Sequence, residues 1–438
     1  MKLTIPSNAE KILQVLNENG YEAYVVGGCV RDSILDRNPN DWDITTSASP
    51  YQVKELFPRT IDTGLQHGTV TVMMDKEGYE ITTYRVDGDY EDGRHPKEVT
   101  FTSSLEEDLK RRDFTINAMA YHPKEGLVDL FHGMDDMENK IIRCVGDQME
   151  RFHEDALRIM RAVRFSAQLG FEIEEQTKAG ISRLTSNLKN VSAERIQAEL
   201  VKLLVSPHPD YLRTAYETGI TKEFLPEFDL CMETEQNTPY HCFTVGEHIL
   251  HSLLYVEADK VLRLTMLLHD IAKPVMKTTD ENGRDHFKRH AAVGEEMSKK
   301  ILRRLKFDND TIEKVSRLIR YHDDRPEGQM RAVRRAMNRI GEELFPLYLE
   351  VQKSDMLAQS EYCLDEKIKR QADVRKCYEE ILRAQQCISM KTLAVTGRDL
   401  IQAGYKPGPE LGEILNRLLE HVLDVPEDNT KEKLMSLI

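Results

Sequence analysis

The hydrophobic period of the chain changes once, near residues 145–150, and this change limits its possible folds more than any other feature. Ahead of it, residues 68–86 (GTVTVMMDKEGYEITTYRV) alternate around the turn-like Asp75-Lys76-Glu77-Gly78, which predicts a β-hairpin. Tyr21–Val26 (YEAYVV) predicts a short strand that stops at Gly27-Gly28, and Val30–Leu35 predicts the first turns of a helix. Beyond it, apolar residues recur at helical spacing. Glu154–Leu169 runs to a stop at Gly170, and 193–205 breaks at Pro207-His208-Pro209. A small α/β head followed by a long helical region is an α+β layout. At 438 residues there is room for about three domains.

Composition excludes several classes. Lys and Arg number 60 against 75 Asp and Glu, a net charge of −15, which argues against a histone-like coat of nucleic acid. A local basic surface remains compatible with that balance. No run approaches the ~18 apolar residues that a membrane span needs, so no membrane partner is expected. The start, MKLTIPSNAEK, lacks the apolar stretch of a secretory signal. Seven scattered cysteines without a CxxC pair suit reduced thiols and a cytoplasmic protein.

Chemistry concentrates first in the head. Gly27-Gly28, between strand and helix, is a turn where backbone N–H groups can approach a triphosphate. Asp41-Trp42-Asp43 leads into the β-branched Ile44-Thr45-Thr46. On a strand, residues i and i+2 project together, so the two carboxylates share a face and repel unless a cation lies between them. A divalent metal pair resolves this and suits phosphoryl transfer. Glu80 shares a hairpin face with Thr82 and Tyr84 and is a candidate third carboxylate.

GGCVRD at 27–32 with DWDITTSASP at 41–50 resembles the nucleotidyltransferase head of the DNA polymerase beta superfamily, and more narrowly the class II tRNA nucleotidyltransferase and poly(A) polymerase family. Arg111-Arg112-Asp113-Phe114-Thr115-Ile116-Asn117-Ala118, Glu154-Asp155-Ala156-Leu157-Arg158 and Glu194-Arg195-Ile196 follow in the family's order. The resemblance implies a polymerase-beta-like head over 1–145, a helical neck and RNA-binding body over 146–235, and Mg²⁺ held by Asp41 and Asp43, with Glu80 beside them. It implies nucleotide contacts from Gly27, Gly28, Arg31, Arg111, Arg112, Asp113, Asn117, Asp155, Arg158, Arg161 and Arg164. Asp113 and Asn117, one helical turn apart if helical, match the ribose-recognition motif. Asp155 and Arg158, expected three residues apart on one helix, match the base-reading pair. Cytosine and adenine both offer an exocyclic amine beside a ring-nitrogen acceptor. A carboxylate with a guanidinium complements that edge, whereas uracil and guanine would leave polar groups unpaired. The loop at 86–101 is expected to be mobile. In the family such a loop accompanies the switch from adding C to adding A, which argues against an enzyme that adds only CC.

A second constellation lies downstream. Seven of the fourteen histidines fall between His241 and His322, and His269-Asp270 closes the apolar helix VLRLTMLLHD. A buried helix ending in His-Asp needs a partner for both groups, which a metal supplies. The pattern resembles the HD phosphohydrolase superfamily over 236–365. That resemblance implies a second divalent metal held by His248, His269, Asp270 and Asp355, with His290 and His322 as additional ligands, and a phosphate contact from Lys273. Relatives with such a domain hydrolyse 2′,3′-cyclic and 2′-phosphates.

Residues 299–339 carry thirteen Lys or Arg against six Asp or Glu. Arg317 and Arg320, with Arg331, Arg334 and Arg335, are spaced to form basic stripes suited to an RNA backbone. Residues 366–438 resemble a helical RNA-binding tail. The expected activity is addition of the 3′-terminal CCA to tRNA from CTP and ATP. A-addition or poly(A) synthesis on the same scaffold is the nearest alternative, and an HD phosphohydrolase whose head only binds RNA is the alternative of another class.

Overall fold

A computed structural model describes residues 2–87 and 99–438. The chain divides into two compact units, Met1–Phe224 and Leu225–Ile438. Among the described residues, no helix is long and apolar enough to cross a membrane.

The first unit is built on a seven-stranded mixed sheet. Its strands are β1 (Ala23–Val26), β2 (Ile44–Thr46), β3 (Thr60–Gly64), β4 (Thr69–Met74), β5 (Glu77–Thr83) and, after a separate two-stranded ladder β6 (Arg85–Asp87) and β7 (Val99–Phe101), β8 (Met119–His122) and β9 (Gly126–Asp129). The order is β3-β4-β5-β2-β1-β8-β9. The β2–β5 pair is parallel and the other neighbours are antiparallel. The predicted hairpin is β4–β5, with Met74 opposite Glu77, so its loop is Asp75-Lys76 alone. Both have positive φ, 49° and 72°, as a type I′ turn requires. The predicted mobile loop lies mostly outside the described residues, and its described ends form the β6–β7 ladder.

Helix α1 (Ser7–Glu18) buries Ala9, Ile12, Leu13 and Leu16, an i, i+3, i+4, i+7 stripe that covers β1. Each fully buried Leu or Ile contributes about 1.5–3 kcal/mol. Helix α2 (Gly28–Ile34) follows the Gly27 turn. Helix α3 (Leu105–Lys110) is pinned through Leu109, which packs with Tyr24, Val26, Tyr84 and Ala120.

The helix expected over 154–169 is two. Helix α4 (Gln148–Glu154) and helix α5 (Leu157–Leu169) are separated by Asp155, which is extended at φ −140°, ψ 104°. The Asp155 carboxylate accepts from Leu157 N at 3.0 Å, which starts the second helix afresh. The predicted stop at Gly170 holds, with φ 69°. Helix α6 (Ala193–Leu204) ends before the Pro-His-Pro cluster, as expected.

In the second unit, helices α7 (Val245–Leu254), α8 (Lys260–Leu268), α9 (His290–Arg304), α10 (Asn309–Tyr321) and α12 (Phe345–Leu357) bring the histidines together. Helices α11 (Met330–Ile340), α13 (Leu364–Arg383) and α14 (Pro409–Asp424) share a second core with the ends of α10 and α12, around Met337, Tyr348, Val374 and Leu418.

Candidate active site

Asp41 and Asp43 lie in the extended segment just ahead of β2, and the carbonyl of Asp43 is fixed by Val26 N at 3.0 Å. Parallel pairing sets Ile44 opposite Ile81, so one step back along both strands Asp43 lies beside Glu80. Partial desolvation pushes the Asp43 carboxyl up; Arg112 opposes this, and Glu80 and Asp41 add to it. The three carboxylates therefore feel one another, which is the electrostatic condition that a divalent ion relieves. Tyr84, expected on the face of Glu80, lies past the strand end and is fully buried. It donates its backbone N–H to Thr46 O at 2.7 Å.

Gly27 has φ 82°, and a Cβ there would come within 3.0 Å of the Arg112 guanidinium. The lack of a side chain admits Arg112 to the turn. The Gly27 N–H goes to Met119 O at 3.1 Å, so a phosphate contact at this turn falls to Gly28 and the residues after it. Arg112 Nε is buried without a hydrogen-bond partner. Asp108 reaches Arg112 at 3.5 Å and holds Arg111 more firmly, at 2.7 and 2.9 Å. Of the two arginines expected to meet a triphosphate, Arg112 is the less committed.

Asp113 and Asn117 meet, though not on an α-helix. A 3-10 turn, Thr115–Asn117, lies between them, and Asn117 Nδ2 donates to Asp113 Oδ1 at 3.2 Å. Arg31 donates to Asn117 Oδ1 at 2.6 Å, and Arg161 to Asp113 Oδ2 at 2.7 Å. Burial raises the Asp113 carboxyl, but Arg161 and then Arg158 outweigh it and hold it at about 2. Relative to its ordinary 3.8, this contributes about 2 kcal/mol to the folded unit. The contribution is full above about pH 4 and fades as pH falls towards 2. Asp113→Asn is accordingly expected to destabilise the protein by about 2 kcal/mol at pH 7 and by about half that at pH 3, in urea unfolding. An equal deficit at both pH values would remove this account.

The side chains of Asp155 and Arg158 rest on different partners. Asp155 is held by Arg195 at 2.8 and 3.3 Å. Arg158 donates to Glu154 at 2.6 Å and to the carbonyls of Arg151 and Arg111 at 3.2 Å each. Arg164 is also committed, to Glu199 at 2.6 Å, and stacks 3.6 Å over Phe165; burial lowers it to about 10. Arg31 and Arg161 lie 5.0 and 5.3 Å from the same ring. Phe165, Glu154, Arg195 and Asp108 were not singled out from the sequence as supports of the site. Arg195 and Glu154 carried a signal, as parts of Glu194-Arg195-Ile196 and Glu154-Asp155-Ala156-Leu157-Arg158.

The second constellation converges. His248 is inside α7, His269 follows α8, His290 opens α9, His322 follows α10 and Asp355 lies near the end of α12. Each ring donates Nδ1–H to a carbonyl: His248 to Ala358 at 3.1 Å, His269 to Met266 at 2.7 Å, His290 to Phe287 at 2.8 Å and His322 to Ile319 at 2.7 Å. A carbonyl can only accept, so each Nδ1 carries a proton and Nε2 is the ring atom turned towards the cluster. Yet Nε2 of His248 lies 3.2 Å from that of His269, and Nε2 of His290 lies 3.1 Å from that of His322. Ring nitrogens this close face one another only with a proton or a metal cation between them. Asp270 joins the pairs, with Oδ2 3.3 Å from His269 and Oδ1 3.4 Å from His290. Asp355 Oδ1 lies 3.0 Å from His248 Nε2. These spacings approximate the edges, about 3.4 Å, of a tetrahedron with metal–ligand bonds near 2.1 Å. Burial opposes a charge on His269, but Asp270 and Asp355 outweigh it and push the ring to about 10, so the carboxylates draw positive charge into the cluster. Lys273 lies 2.7 Å from Asp270 Oδ2. The cluster lines a cavity of about 340 Å³.

Three arginines of the expected basic stripe are engaged within the fold. Arg331 and Arg335 clasp Asp424 at 2.6–3.2 Å, and Arg334 is buried, donating to Leu423 O at 2.7 Å. Helix α14 thus engages three of the five arginines that spacing offered to RNA.

Residues 23–143 match the family described as Poly A polymerase head domain. Residues 170–232 match one described as Probable RNA and SrmB- binding site of polymerase A, and 287–438 match tRNA nucleotidyltransferase domain 2. Head fold and paired aspartates together define a nucleotidyltransferase with a poly(A) polymerase type head. The CCA-adding enzyme of Lactobacillus helveticus is 38% identical over 428 residues, 97% of this chain and 94% of that one. That of Enterococcus faecalis is 35% identical over 447 residues, 100% and 97% of the two. The chain belongs to the CCA-adding enzyme family. The crystal structure of the Bacillus stearothermophilus CCA-adding enzyme in complex with CTP superposes with TM-score 0.70 at 30% identity, covering 99% of this chain and 98% of that one.

Proposed function

We propose that the first unit rebuilds the 3′-terminal CCA of tRNA, using CTP and ATP without a nucleic-acid template; the relatives carry the name CCA-adding enzyme. The observation that carries this reading is the carboxylate trio Asp41, Asp43 and Glu80, electrostatically coupled and facing Arg112 beside the Gly27 turn. The tRNA 3′-hydroxyl oxygen bonds to the α-phosphorus, the bond to the β-phosphate oxygen breaks, and pyrophosphate leaves. Asp41 and Asp43 would hold Mg²⁺, which when bound neutralises charge on the phosphates and acidifies the hydroxyl. Arg112, with its partnerless Nε, draws the triphosphate to the turn. Asp113 and Asn117, fixed by Arg161 and Arg31, orient the ribose. Asp155 and Arg158, held apart by Arg195 and Glu154, read the amine and ring nitrogen of cytosine or adenine. Such a protein works in the cytoplasm, where tRNA matures.

A tRNA lacking CCA, offered CTP alone and then ATP, tests this. Extension by CC and then by a single A is expected. A single A without prior CC would instead indicate an A-adding enzyme, and a long A tail a poly(A) polymerase.

The facing Nε2 pairs, joined by the buried Asp270 carboxylate, favour a second reading for 236–365, a divalent-metal phosphohydrolase site of HD type that trims RNA ends. His248, His269, Asp270 and Asp355 would hold one ion, and His290 and His322 would complete a second place with Asp270. Bound there, the metal supplies an activated water. Asp270→Ala is expected to remove the bound metal, measured by elemental analysis, and 2′,3′-cyclic phosphate hydrolysis, while CCA addition continues. Retention of the metal would overturn this reading.

A further inference from the structure

The cavity over the His–Asp cluster has walls that a phosphate alone does not require. Lys273, Arg284, Lys288 and Arg325 line it. Asp285 and Asp323 also line it, each paired, with Lys277 at 2.9 Å and with Arg325 at 3.4 Å. Tyr240 forms part of the same wall and is 38% exposed. Its ring meets Tyr362, 50% exposed, edge-on at 5.1 Å between centroids. Lys367 Nζ and the Arg284 guanidinium lie 5.2 and 6.0 Å from the Tyr240 centroid. The segment is fixed, because Ser360 donates its backbone N–H to Tyr240 O at 2.9 Å. The next residue, His241, packs edge-on to the ring of His248 at 5.1 Å. One short segment thus offers an exposed aromatic ring and a contact to the cluster.

Single exposed aromatics are ordinary. A tyrosine that lines a cavity with four cations and a dense His–Asp cluster, and is backed edge-on by a second tyrosine, is a different arrangement. Aromatic faces flanked by cations stack nucleobases whatever the base, whereas a phosphate on a sugar, lipid or protein has no ring to place there. At about 340 Å³ the cavity falls in the size range of small-ligand sites.

We propose that Tyr240, supported by Tyr362, is a base-stacking platform that makes the His–Asp site selective for nucleoside phosphates, such as the terminal nucleotide of an RNA. The inference rests on the metal phosphohydrolase reading and adds the residue that selects its substrate. Tyr240 is here a specificity residue, since it touches the base and not the reacting phosphate.

Binding to the full chain with Mn²⁺ tests it, measured by calorimetry. Adenosine 3′-phosphate is expected to bind at least about ten-fold more tightly than glycerol 2-phosphate. Tyr240→Ala should remove about ten-fold of that affinity and leave glycerol 2-phosphate within two-fold, and Tyr240→Phe should restore it, because stacking needs the ring and not the hydroxyl. CCA addition by Tyr240→Ala should remain at the wild-type level, which confirms folding. Lys273→Met should weaken both ligands, locating them in this cavity. Equal affinity for the two ligands, both lost in Lys273→Met, would overturn the base platform while leaving the phosphohydrolase site. No binding of either ligand would overturn both.

Discussion

Asp43→Ala is expected to lose nucleotide incorporation by on the order of 10³-fold or more, the equivalent of several kcal/mol of transition-state charge stabilisation. Binding of tRNA should stay within two-fold, because this carboxylate faces the coupled acids and not a basic surface. The stability of the variant should move the opposite way from its activity. The Asp43 carboxyl is pushed up in the folded protein, by desolvation and by Glu80 and Asp41 against the pull of Arg112. A raised carboxyl costs folded-state stability once pH exceeds its ordinary value, so removing it is neutral or stabilising at pH 7. Without divalent ion the variant should melt at or above the wild-type temperature, and the upward shift that Mg²⁺ gives the wild type should vanish. Asp41→Ala should follow the same pattern. Retained incorporation in either variant would sink the assignment, and a collapsed melting temperature would mean that the carboxylates serve the fold.

The second large effect is on selectivity. Arg158→Ala is expected to reduce discrimination of CTP and ATP against UTP and GTP by on the order of a hundredfold, since each buried polar group left unpaired against the wrong base edge costs about 1–3 kcal/mol. The structure indicates why a single guanidinium has such leverage. Arg158 is fixed on three acceptors, Glu154 Oε2 and the carbonyls of Arg151 and Arg111, so its guanidinium is held in one orientation. Truncation leaves Glu154 still paired with Arg151, which spares the fold. Selection is measured by incorporating each NTP singly. An unchanged preference would remove Arg158 as the base reader, whatever became of overall rate.

Parts of this were legible in the sequence because they depend on local rules. The β4–β5 hairpin follows from alternation with a two-residue loop at positive φ, and Gly170 follows from the left-handed stop of a helix. The paired aspartates of a strand end, and a His-Asp pair closing an apolar helix, likewise announce themselves through periods of two and of 3.6 residues. Local rules failed where partners come from afar. The 154–169 pattern reads as one helix, yet Asp155 leaves it, because Arg195, forty residues on, and the N–H of Leu157 together hold an extended conformation there. Arg331, Arg334 and Arg335 read as an open stripe until Asp424 and the carbonyl of Leu423 cover them.

The sequence by itself determined the α+β plan, the order of the elements and the residue types that chemistry could use. Periodicity and turn stereochemistry are properties of neighbouring residues, so a single chain records them. Only the tertiary structure decided which of those residues face one another: Glu80 beside Asp43 through parallel strand register, and four imidazoles turned inward by carbonyl-bound Nδ1–H groups. It also decided that Asp155 and Arg158 stand apart on separate supports. Those outcomes depend on contacts between residues distant in the chain, and spacing along a sequence carries no record of which distant partner wins.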